Sequence, residues 1–253
     1  MVDLHAHILP GIDDGAVDMY DSLEMARIAV AGGVGTMIAT PHCNIPGMYD
    51  NYFGQSYIEL YRQVEAMLIQ EKIPLMLYAG MEVFMTSDVT RQLADGKILT
   101  LNGGHYMLVE FAFDEDPDFV EHMLAEVARV KIHPVIAHPE RYEFVKEDIR
   151  RVYDWRKKGY LIQVNKGSLM GKFGDRTEFV AHELMRHRLV TAIASDAHSP
   201  VRRTPYLLDV YKELRQMYSS RYLQLLFEEN PMRIIKDQPV LHFEARPFAE
   251  EEW

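Results

Sequence analysis

The first sixteen residues, MVDLHAHILPGIDDGA (Met1–Ala16), open with a short apolar run that places two histidines two positions apart. Residues i and i+2 of a β-strand point to the same face of a sheet, so His5 and His7 share a face. Two acidic residues, Asp13 and Asp14, follow within the next turn of chain. Two imidazoles near carboxylates can hold a metal ion, and the other strand ends test this interpretation.

Short β-rich runs alternate with amphipathic helical stretches along the whole chain. We predict seven strands: Val2–His5, Thr36–Ala39, Leu75–Ala79, Tyr106–Glu110, Pro134–Ala137, Leu161–Val164 and Thr191–Ala194. This repeated alternation is typical of an α/β protein with a parallel sheet, either doubly wound or closed into a barrel. Both arrangements place an active site at the C-terminal ends of the strands.

Length and composition are those of an ordinary globular protein. The chain has 253 residues, of which 48% are hydrophobic and 26% charged, and α/β barrels of this length usually form one domain. We expect a single domain over residues 1–240 and a C-terminal tail over 241–253, which ends in FAEEEW. The net charge of −11 argues against a nucleic-acid partner, because phosphate backbones require clustered lysine and arginine.

The single cysteine, Cys43, excludes an intrachain disulfide and is typical of a reducing compartment. The sequence has no signal-peptide pattern, and no apolar run approaches the roughly 20 residues of a membrane span. We therefore expect a cytoplasmic protein without an integral membrane segment. The apolar residues scattered on helix exteriors are compatible with either a monomer or an assembly.

The predicted strands end in polar motifs: DLHAH, ATPHCN, YAGMEV, MLVEF, IAHPER, QVNKGS and ASDAHS. One such residue is weak evidence, because a buried histidine is most often part of a hydrogen-bonded core and a strand-end carboxylate often caps a helix. A set of nine charged groups and imidazoles on one edge would be costly to bury without a metal. The candidate metal ligands are His5, His7, Asp14, His42, Glu82, Glu110, His138, Asp196 and His198.

The types of ligand indicate the ions and the substrate. Imidazole mixed with carboxylate suits Mn, Fe or Zn, and five histidines with four carboxylates exceed the positions around one ion. Bridging carboxylates suit two or three ions. Three divalent ions would bring six positive charges, and the four carboxylates bring four negative ones. The net charge of roughly +2 is what a phosphomonoester dianion would neutralise. The pattern therefore favours phosphoryl chemistry over a neutral amide or sugar.

With DLHAH, TPH, GME, VEF, AHPER and SDAH in this order, the chain resembles the PHP (polymerase and histidinol phosphatase) superfamily. The longer segments LHAHILPGIDDGA, HPERY and VNKGSLMGKFG resemble the bacterial tyrosine-protein phosphatases of capsule and exopolysaccharide clusters. The resemblance covers about residues 1–235 and implies a distorted (β/α)7 TIM-like barrel with a manganese site. It implies activity on phosphotyrosine in the tail of a membrane-linked autokinase that controls polysaccharide export.

The resemblance also assigns the ligands to three ions. His5, His7, Glu82 and Asp196 would hold the first ion. Glu82, Glu110 and His138 would hold the second, and Asp14, His42 and His198 the third. Cys43 stands where many relatives have another histidine, so we expect consequences for the loop rather than for the metals.

Two arginines are candidate catalytic residues within this resemblance. Arg141, in HPER, could bind phosphate bidentately or support the barrel edge through a salt bridge. Arg202 or Arg203 could form a second clamp or lie solvated at a helix start. We expect Asn165 and Ser168 to line the site. A cysteine-based phosphatase needs an arginine six residues after its nucleophile, but Tyr49 holds that position relative to Cys43.

Three alternatives to a protein-tyrosine phosphatase stay open. A small-molecule phosphatase of the histidinol-phosphatase kind would need a capped pocket, whereas a protein substrate needs an open mouth. A phosphodiesterase would share the same metals. A non-catalytic PHP module would be expected to lose ligands. The segment 44–57, NIPGMYDNYFGQSY, could stack on a phosphotyrosine ring or pack on the barrel as a lid.

Overall fold

The structure, a computed structural model, describes residues 1–248; residues 249–253 of the expected tail lie outside the described part. The strands are β1 (Val2–Ala6), β2 (Thr36–Ala39), β3 (His42–Cys43), β4 (Met76–Ala79), β5 (Glu82–Phe84), β6 (Tyr106–Glu110), β7 (His133–Ala137), β8 (Leu161–Asn165) and β9 (Ala192–Ala194).

Helices follow most of the strands. They are α1 (Met19–Ala31), α2 (Gln55–Gln70), α3 (Val89–Ala94), α4 (Pro117–Arg129), α5 (Glu143–Glu147), α6 (Arg150–Lys157), α7 (Lys166–Leu169), α8 (Asp175–Arg186), α9 (Leu208–Leu214), α10 (Ser220–Gln224) and α11 (Asn230–Ile235). One π-helical turn, Leu225–Glu229, joins α10 to α11. No helix in the described range 1–248 has the length and apolar character needed to cross a membrane.

All the strand pairs are parallel, and they form two sheets. One sheet has the order β1-β2-β4 and the other β3-β5-β6-β7-β8-β9. The second and third predicted strands each continue, after a break, as the short strands β3 and β5. The break after β2 contains Pro41, which has no backbone N–H to donate to a ladder. The break after β4 contains Gly80, where an added Cβ would lie 3.0 Å from Ile38 and Leu101 side-chain atoms.

The first and last strands meet, so the parallel strands form a ring. A parallel bridge joins Ala6 to Ala197. The backbone N–H of Asp196 donates to the carbonyl of His5 at 2.9 Å, and that of His7 to the carbonyl of Ala197 at 2.8 Å. If β2 with β3, and β4 with β5, each count as one broken strand, the ring has seven members. The predicted α/β class is confirmed, and the ring is compatible with the expected distorted barrel.

Burial on both faces of the strands explains their sequences. Every residue of β1, β6 and β8 is buried, as expected for parallel strands covered by helices. Helix α1 begins where the Asp18 side chain accepts the N–H of Asp21, and it buries an apolar stripe that includes Leu23 and Met25. The helices thus close the outside of the ring and leave the C-terminal strand ends open.

Residues 241–248 contain neither helix nor strand, yet they pack on the helices. Leu241 exchanges two hydrogen bonds with the Asn230 side chain, at 2.8 and 2.9 Å. The ring of Phe243 meets that of Tyr222 edge to face at 5.3 Å between centroids. His187 stacks on Phe248 at 3.8 Å. The described part of the expected tail is therefore docked on α8, α10 and α11.

Candidate metal centre

All nine candidate ligands lie at the C-terminal ends of the strands, as predicted. Four lie on strands β1, β3, β5 and β6, His7 and His138 directly follow β1 and β7, Asp196 and His198 lie in the loop after β9, and Asp14 lies in the loop after β1. Two of them have left-handed backbone conformations, His138 with φ 36° and Asp196 with φ 51°. Such strain in a residue other than glycine persists only where the surroundings enforce it, and it concentrates at functional sites.

Glu82 lies at the middle of the cluster. Its Oε2 is 3.1 Å from Nε2 of His5, 3.2 Å from Nε2 of His7 and 3.1 Å from Nδ1 of His42. Its other oxygen, Oε1, is 2.9 Å from Nε2 of His138. Because its two oxygens face different imidazoles, Glu82 could contribute to more than one cation site.

Asp196 also faces two ways. Its Oδ1 lies 3.4 Å from Nε2 of His5 and 3.5 Å from Nε2 of His7. Its Oδ2 accepts hydrogen bonds from Asn165 and Arg203, and lies 3.7 Å from Nη1 of Arg141. One carboxylate therefore joins the histidine cluster to both predicted arginines.

Three groups of side chains could each hold an ion, with donor atoms within 4.8 Å of one another. One group contains three of the four residues that the resemblance assigns to the first ion, and another contains all three that it assigns to the third ion. The remaining group has His42 beside Glu82 and Glu110, where the resemblance has His138. The groups are His7, Asp14, His42 and His198; His5, His7 and Asp196; and His42, Glu82 and Glu110.

The donor atoms fit divalent cations. Oε2 of Glu82, Oε1 of Glu110 and Oδ1 of Asp196 are buried and make no hydrogen bond. Nδ1 of His42 lies 2.7 Å from Oε1 of Glu110, again without hydrogen-bond geometry. Buried polar atoms are normally paired, so several orphaned lone pairs that converge on one small volume indicate a site for cations. The nitrogen and oxygen donors suit manganese, iron or zinc.

The pKa values follow from this crowding. Burial alone would raise the pKa of Glu82, but the imidazoles of His5 and His42 hold it well below its usual range. Burial opposes the charged form of His42, yet Glu82 and Glu110 raise its pKa to about 9. Burial and the positive charge of His7 lower the pKa of His198 to about 2. Where no cation is bound, the protonated imidazole of His42 thus balances part of the carboxylate charge, whereas His198 stays neutral.

A second layer of polar side chains holds the ligands, and sequence reasoning missed part of it. Gln163 Oε1 is 2.8 Å from Nδ1 of His5. Oδ2 of Asp13 is 2.7 Å from Nδ1 of His7 and accepts the backbone N–H of His42 at 2.9 Å. Such partners fix the ring orientation and tautomer of a metal ligand. Full burial of a glutamine within LIQVN is not visible in the sequence.

The predicted polar residues near β8 have different surroundings. Asn165 donates to Asp196, and its own amide oxygen accepts from Gln163 at 2.8 Å. Ser168 is buried but does not line the site cavity. Asn165 therefore lies beside the ligands, whereas the prediction that Ser168 lines the site was wrong, because α7 turns its side chain into the interior.

Arg141 and Arg203 both line the cavity that contains the cluster. The guanidinium of Arg141 lies between two phenyl rings, 4.3 Å from the centroid of Phe113 and 4.4 Å from that of Phe173. Arg203 bonds to Asp196, whereas Arg202 is exposed and outside this cavity. Of the two candidates for a second clamp, the structure therefore places Arg203 at the site.

The cavity has a volume of about 290 Å³ and is open to solvent at its mouth. The side chain of Asp14 is 51% exposed, and Phe113 is 41% exposed. A larger cavity, about 410 Å³, lies against residues of the docked tail, but no histidine or carboxylate among the described residues lines it. The smaller cavity is therefore the one equipped for chemistry.

The segment 44–57 lies partly over the barrel and partly beside the cavity. Tyr57 is buried and donates to the carbonyl of Gly80 at 2.8 Å. Tyr49 is parallel to the His42 ring at 5.8 Å, and Ile45 lines the cavity. Tyr57 therefore packs on the barrel, whereas Tyr49 lies beside a candidate ligand and Ile45 lies at the cavity.

Cys43 is buried next to His42. Burial, together with the charge of Asp50, raises the pKa of its thiol to about 12. A nucleophilic cysteine must ionise near neutral pH, so this thiol is unsuited to that role.

Comparison with known proteins gives the same picture along the whole chain. A family model for capsular polysaccharide synthesis, CpsB/CapC, matches residues 1–236. Tyrosine-protein phosphatase YwqE of Bacillus subtilis (strain 168) is 36% identical over 98% of this chain and 96% of its own length. Tyrosine-protein phosphatase CpsB of Streptococcus pneumoniae is 29% identical over 94% of this chain and 99% of its own length.

A solved structure matches equally well. It comes from crystallographic work on YwqE of Bacillus subtilis and CpsB of Streptococcus pneumoniae, described as unique metal-dependent tyrosine phosphatases. Its TM-score is 0.90 at 35% identity, and the match covers 99% of this chain and 100% of that one.

The parallel α/β fold and the cluster of nine candidate ligands together define the class of protein. It is the class of α/β proteins that place histidines and carboxylates at the C-terminal ends of parallel strands. Within that class, the chain belongs to the CpsB/CapC capsular polysaccharide synthesis family. The resemblance to capsule-cluster phosphatases that HILPGIDDGA and HPER indicated is confirmed.

Proposed function

We propose that this protein is a metal-dependent protein-tyrosine phosphatase, a phosphoric monoester hydrolase. The observation that carries the proposal is Asp196, whose two oxygens face the histidine cluster on one side and two arginines on the other. A phosphoryl group bound there would meet cations from both directions. The relatives named as tyrosine-protein phosphatases support this assignment.

The nine candidate ligands would hold two or three manganese ions, with iron or zinc as alternatives. The sets implied by the resemblance stand as the assignment: His5, His7, Glu82 and Asp196; Glu82, Glu110 and His138; Asp14, His42 and His198. The shared position of Glu82 is supported by its two oxygens, which face different imidazoles. Bound ions would supply Lewis acidity to the phosphoryl group and lower the pKa of water.

Arg141 and Arg203 are the proposed catalytic side chains. Their guanidinium groups bind the nonbridging phosphoryl oxygens and stabilise the charge that develops there. The rings of Phe113 and Phe173 hold the Arg141 plane in place, so less side-chain entropy is lost when phosphate binds. Asp13 and Gln163 keep the imidazoles of His7 and His5 oriented.

The substrate is a phosphotyrosine protein, and we assign the tail of a bacterial tyrosine autokinase. The half-exposed Asp14 and Phe113 leave the mouth open, as a protein substrate requires. A small-molecule phosphatase or a phosphodiesterase remains the alternative, and a non-catalytic module is disfavoured because all nine ligands converge. We also propose a single domain over residues 1–240, a C-terminal tail over residues 241–253 and a cytoplasmic location. The buried thiol of Cys43 is compatible with a reducing compartment.

The test is turnover of three substrate kinds by chelated and reconstituted protein. Phosphotyrosine peptides, histidinol phosphate and a phosphodiester are compared after chelation and after addition of Mn, Fe or Zn. We expect Mn to restore hydrolysis and the phosphotyrosine peptides to give the highest kcat/KM. Turnover that does not change on chelation would contradict a metal-dependent mechanism. A higher kcat/KM for histidinol phosphate or for the phosphodiester would favour the small-molecule phosphatase or the phosphodiesterase.

A matched pair of variants tests the site itself. Asp196→Asn should lower kcat by about a hundredfold or more, because one ligand and the arginine anchor change together. Asp88→Asn, at an exposed carboxylate that pairs with Arg91, should leave kcat unchanged. Near-normal turnover by a folded Asp196→Asn protein would contradict the assignment.

A further inference from the structure

A second cavity adjoins the metal centre. It has a volume of about 400 Å³ and shares Arg203 with the site cavity. Part of its lining is apolar, from Met170, Phe173 and Val201, and Val201 is 82% exposed. A large apolar side chain at that exposure provides surface on which a ligand can pack.

Two cations of this cavity have no acidic partner in the described part of the chain. Lys172 and Arg202 line it and are exposed. Among residues 1–248, no carboxylate lies within ion-pair distance of either one, whereas the almost buried Lys166 pairs with Asp209 at 3.0 Å. In a chain whose net charge is −11, two uncompensated cations beside an apolar wall form a local site for an anion.

Phe173 forms the wall between the two cavities. Its ring centroid lies 4.4 Å from the guanidinium carbon of Arg141 and 5.8 Å from that of Arg203. Gly167 leaves room for this ring, because an added Cβ would lie 2.8 Å from Cε2 of Phe173. A peptide in the site cavity therefore passes the second cavity within a few residues, since an extended chain advances about 3.3 Å per residue.

We propose that the second cavity binds another phosphotyrosine of the same substrate chain. This inference rests on the proposed function. The tyrosine ring packs on Phe173 and Met170, and its phosphate binds Arg202 and Lys172. An aspartate or glutamate would reach the cations but would leave the apolar wall uncovered, so an aromatic anion matches the lining better. The preferred substrate is then a tail that carries several phosphotyrosines close together.

The test uses peptides with one hydrolysable phosphotyrosine and a second, neighbouring position that varies. That position carries a non-hydrolysable difluorophosphonate analogue of phosphotyrosine, glutamate or unmodified tyrosine, at one to three residues on either side. The readout is kcat/KM, which nonproductive binding in the site cavity does not change. For at least one spacing, we expect the phosphonate to raise kcat/KM about tenfold over tyrosine, the scale of a charge-assisted contact.

Variants locate the effect. Lys172→Ala/Arg202→Ala should abolish the gain while leaving kcat/KM for the singly phosphorylated peptide unchanged. Lys212→Ala/Arg215→Ala removes the same charge from exposed positions of α9 and its end and should retain the gain. An equal gain from glutamate, no gain at any spacing, or a gain that survives in Lys172→Ala/Arg202→Ala would each overturn the proposal. Failure of the proposed function itself would differ, because the singly phosphorylated peptide would then not be turned over.

Discussion

Gln163 orients His5: the side-chain oxygen of Gln163 lies 2.8 Å from Nδ1 of His5, while Nε2 of the same ring faces Glu82. The arrangement fixes the proton on Nδ1 and leaves Nε2 free to bind a metal. Both side chains are buried, so water cannot replace the contact.

Gln163→Leu removes this acceptor without changing a proposed ligand. We expect metal affinity to fall by about 10–100-fold, whereas excess Mn should restore most of kcat. Titration of the chelated protein with Mn measures the change. Gln216→Leu, at an exposed position, is the matched control. Equal metal affinity in both variants would show that His5 needs no such partner.

Cys43→Ala tests the cysteine mechanism. Because the thiol is buried and its pKa is raised to about 12, we expect kcat for an aryl phosphate to stay within about twofold. The lost sulfur contacts should lower the free energy of unfolding by about 1 kcal/mol. Denaturant unfolding and steady-state rates measure the two effects. A large loss of turnover at full metal content would contradict the metal-based reading.

Arg141→Lys keeps the charge but loses the flat guanidinium between Phe113 and Phe173. We expect kcat/KM for a phosphotyrosine peptide to fall by about 10–100-fold with metal content unchanged, because lysine neither stacks nor binds phosphate bidentately. Gly167→Ala, whose new Cβ would displace Phe173, should cause a smaller loss. Arg91→Lys at an exposed ion pair is the control. If the metal content of Arg141→Lys fell in proportion to its rate, Arg141 would be a structural residue rather than a phosphate ligand.

Metal binding should release protons. Glu82 and Glu110 outweigh burial and raise the pKa of His42 to about 9, so at pH 7 this imidazole is protonated and a cation must displace the proton. Apparent metal affinity should therefore rise with pH up to about 9. Calorimetry in buffers of different ionisation enthalpy counts the released protons, with His105→Ala outside the site as the control. Binding without proton release would contradict the raised pKa.

The same shift predicts how the metal-free protein responds to pH. A folded pKa above the unfolded value of 6.5 stabilises the fold fully below pH 6.5. That contribution is lost as pH rises through about 9. Bound metal should remove this dependence, because His42 then carries no proton. Thermal unfolding of chelated and Mn-loaded protein across this range compares the two.

The sequence predicted the location of the nine candidate ligands because eight of them stand at the ends of predicted strands and Asp14 lies in the loop after the first, where the fold class places an active site. It did not predict that His42 and Glu82 begin strands of their own, since the effect of Pro41 and Gly80 on a ladder depends on packing. Gln163 was missed because a polar residue inside a strand looks the same whether it faces solvent or a ligand. The pairing of Arg203 rather than Arg202 with Asp196 depends on a backbone conformation, φ 52° at Arg203, that no local pattern indicates.

The contact between the first and last strands has a consequence for biosynthesis. Asp3 accepts the backbone N–H of Ser195, 192 residues further along the chain, and His5 meets Asp196 at the same seam. On the ribosome, Asp196 and His198 can join the other candidate ligands only after the segment that follows β9 has left the exit tunnel. The complete set of nine candidate ligands is thus assembled late in synthesis, and a chain terminated before β9 lacks Asp196 and His198.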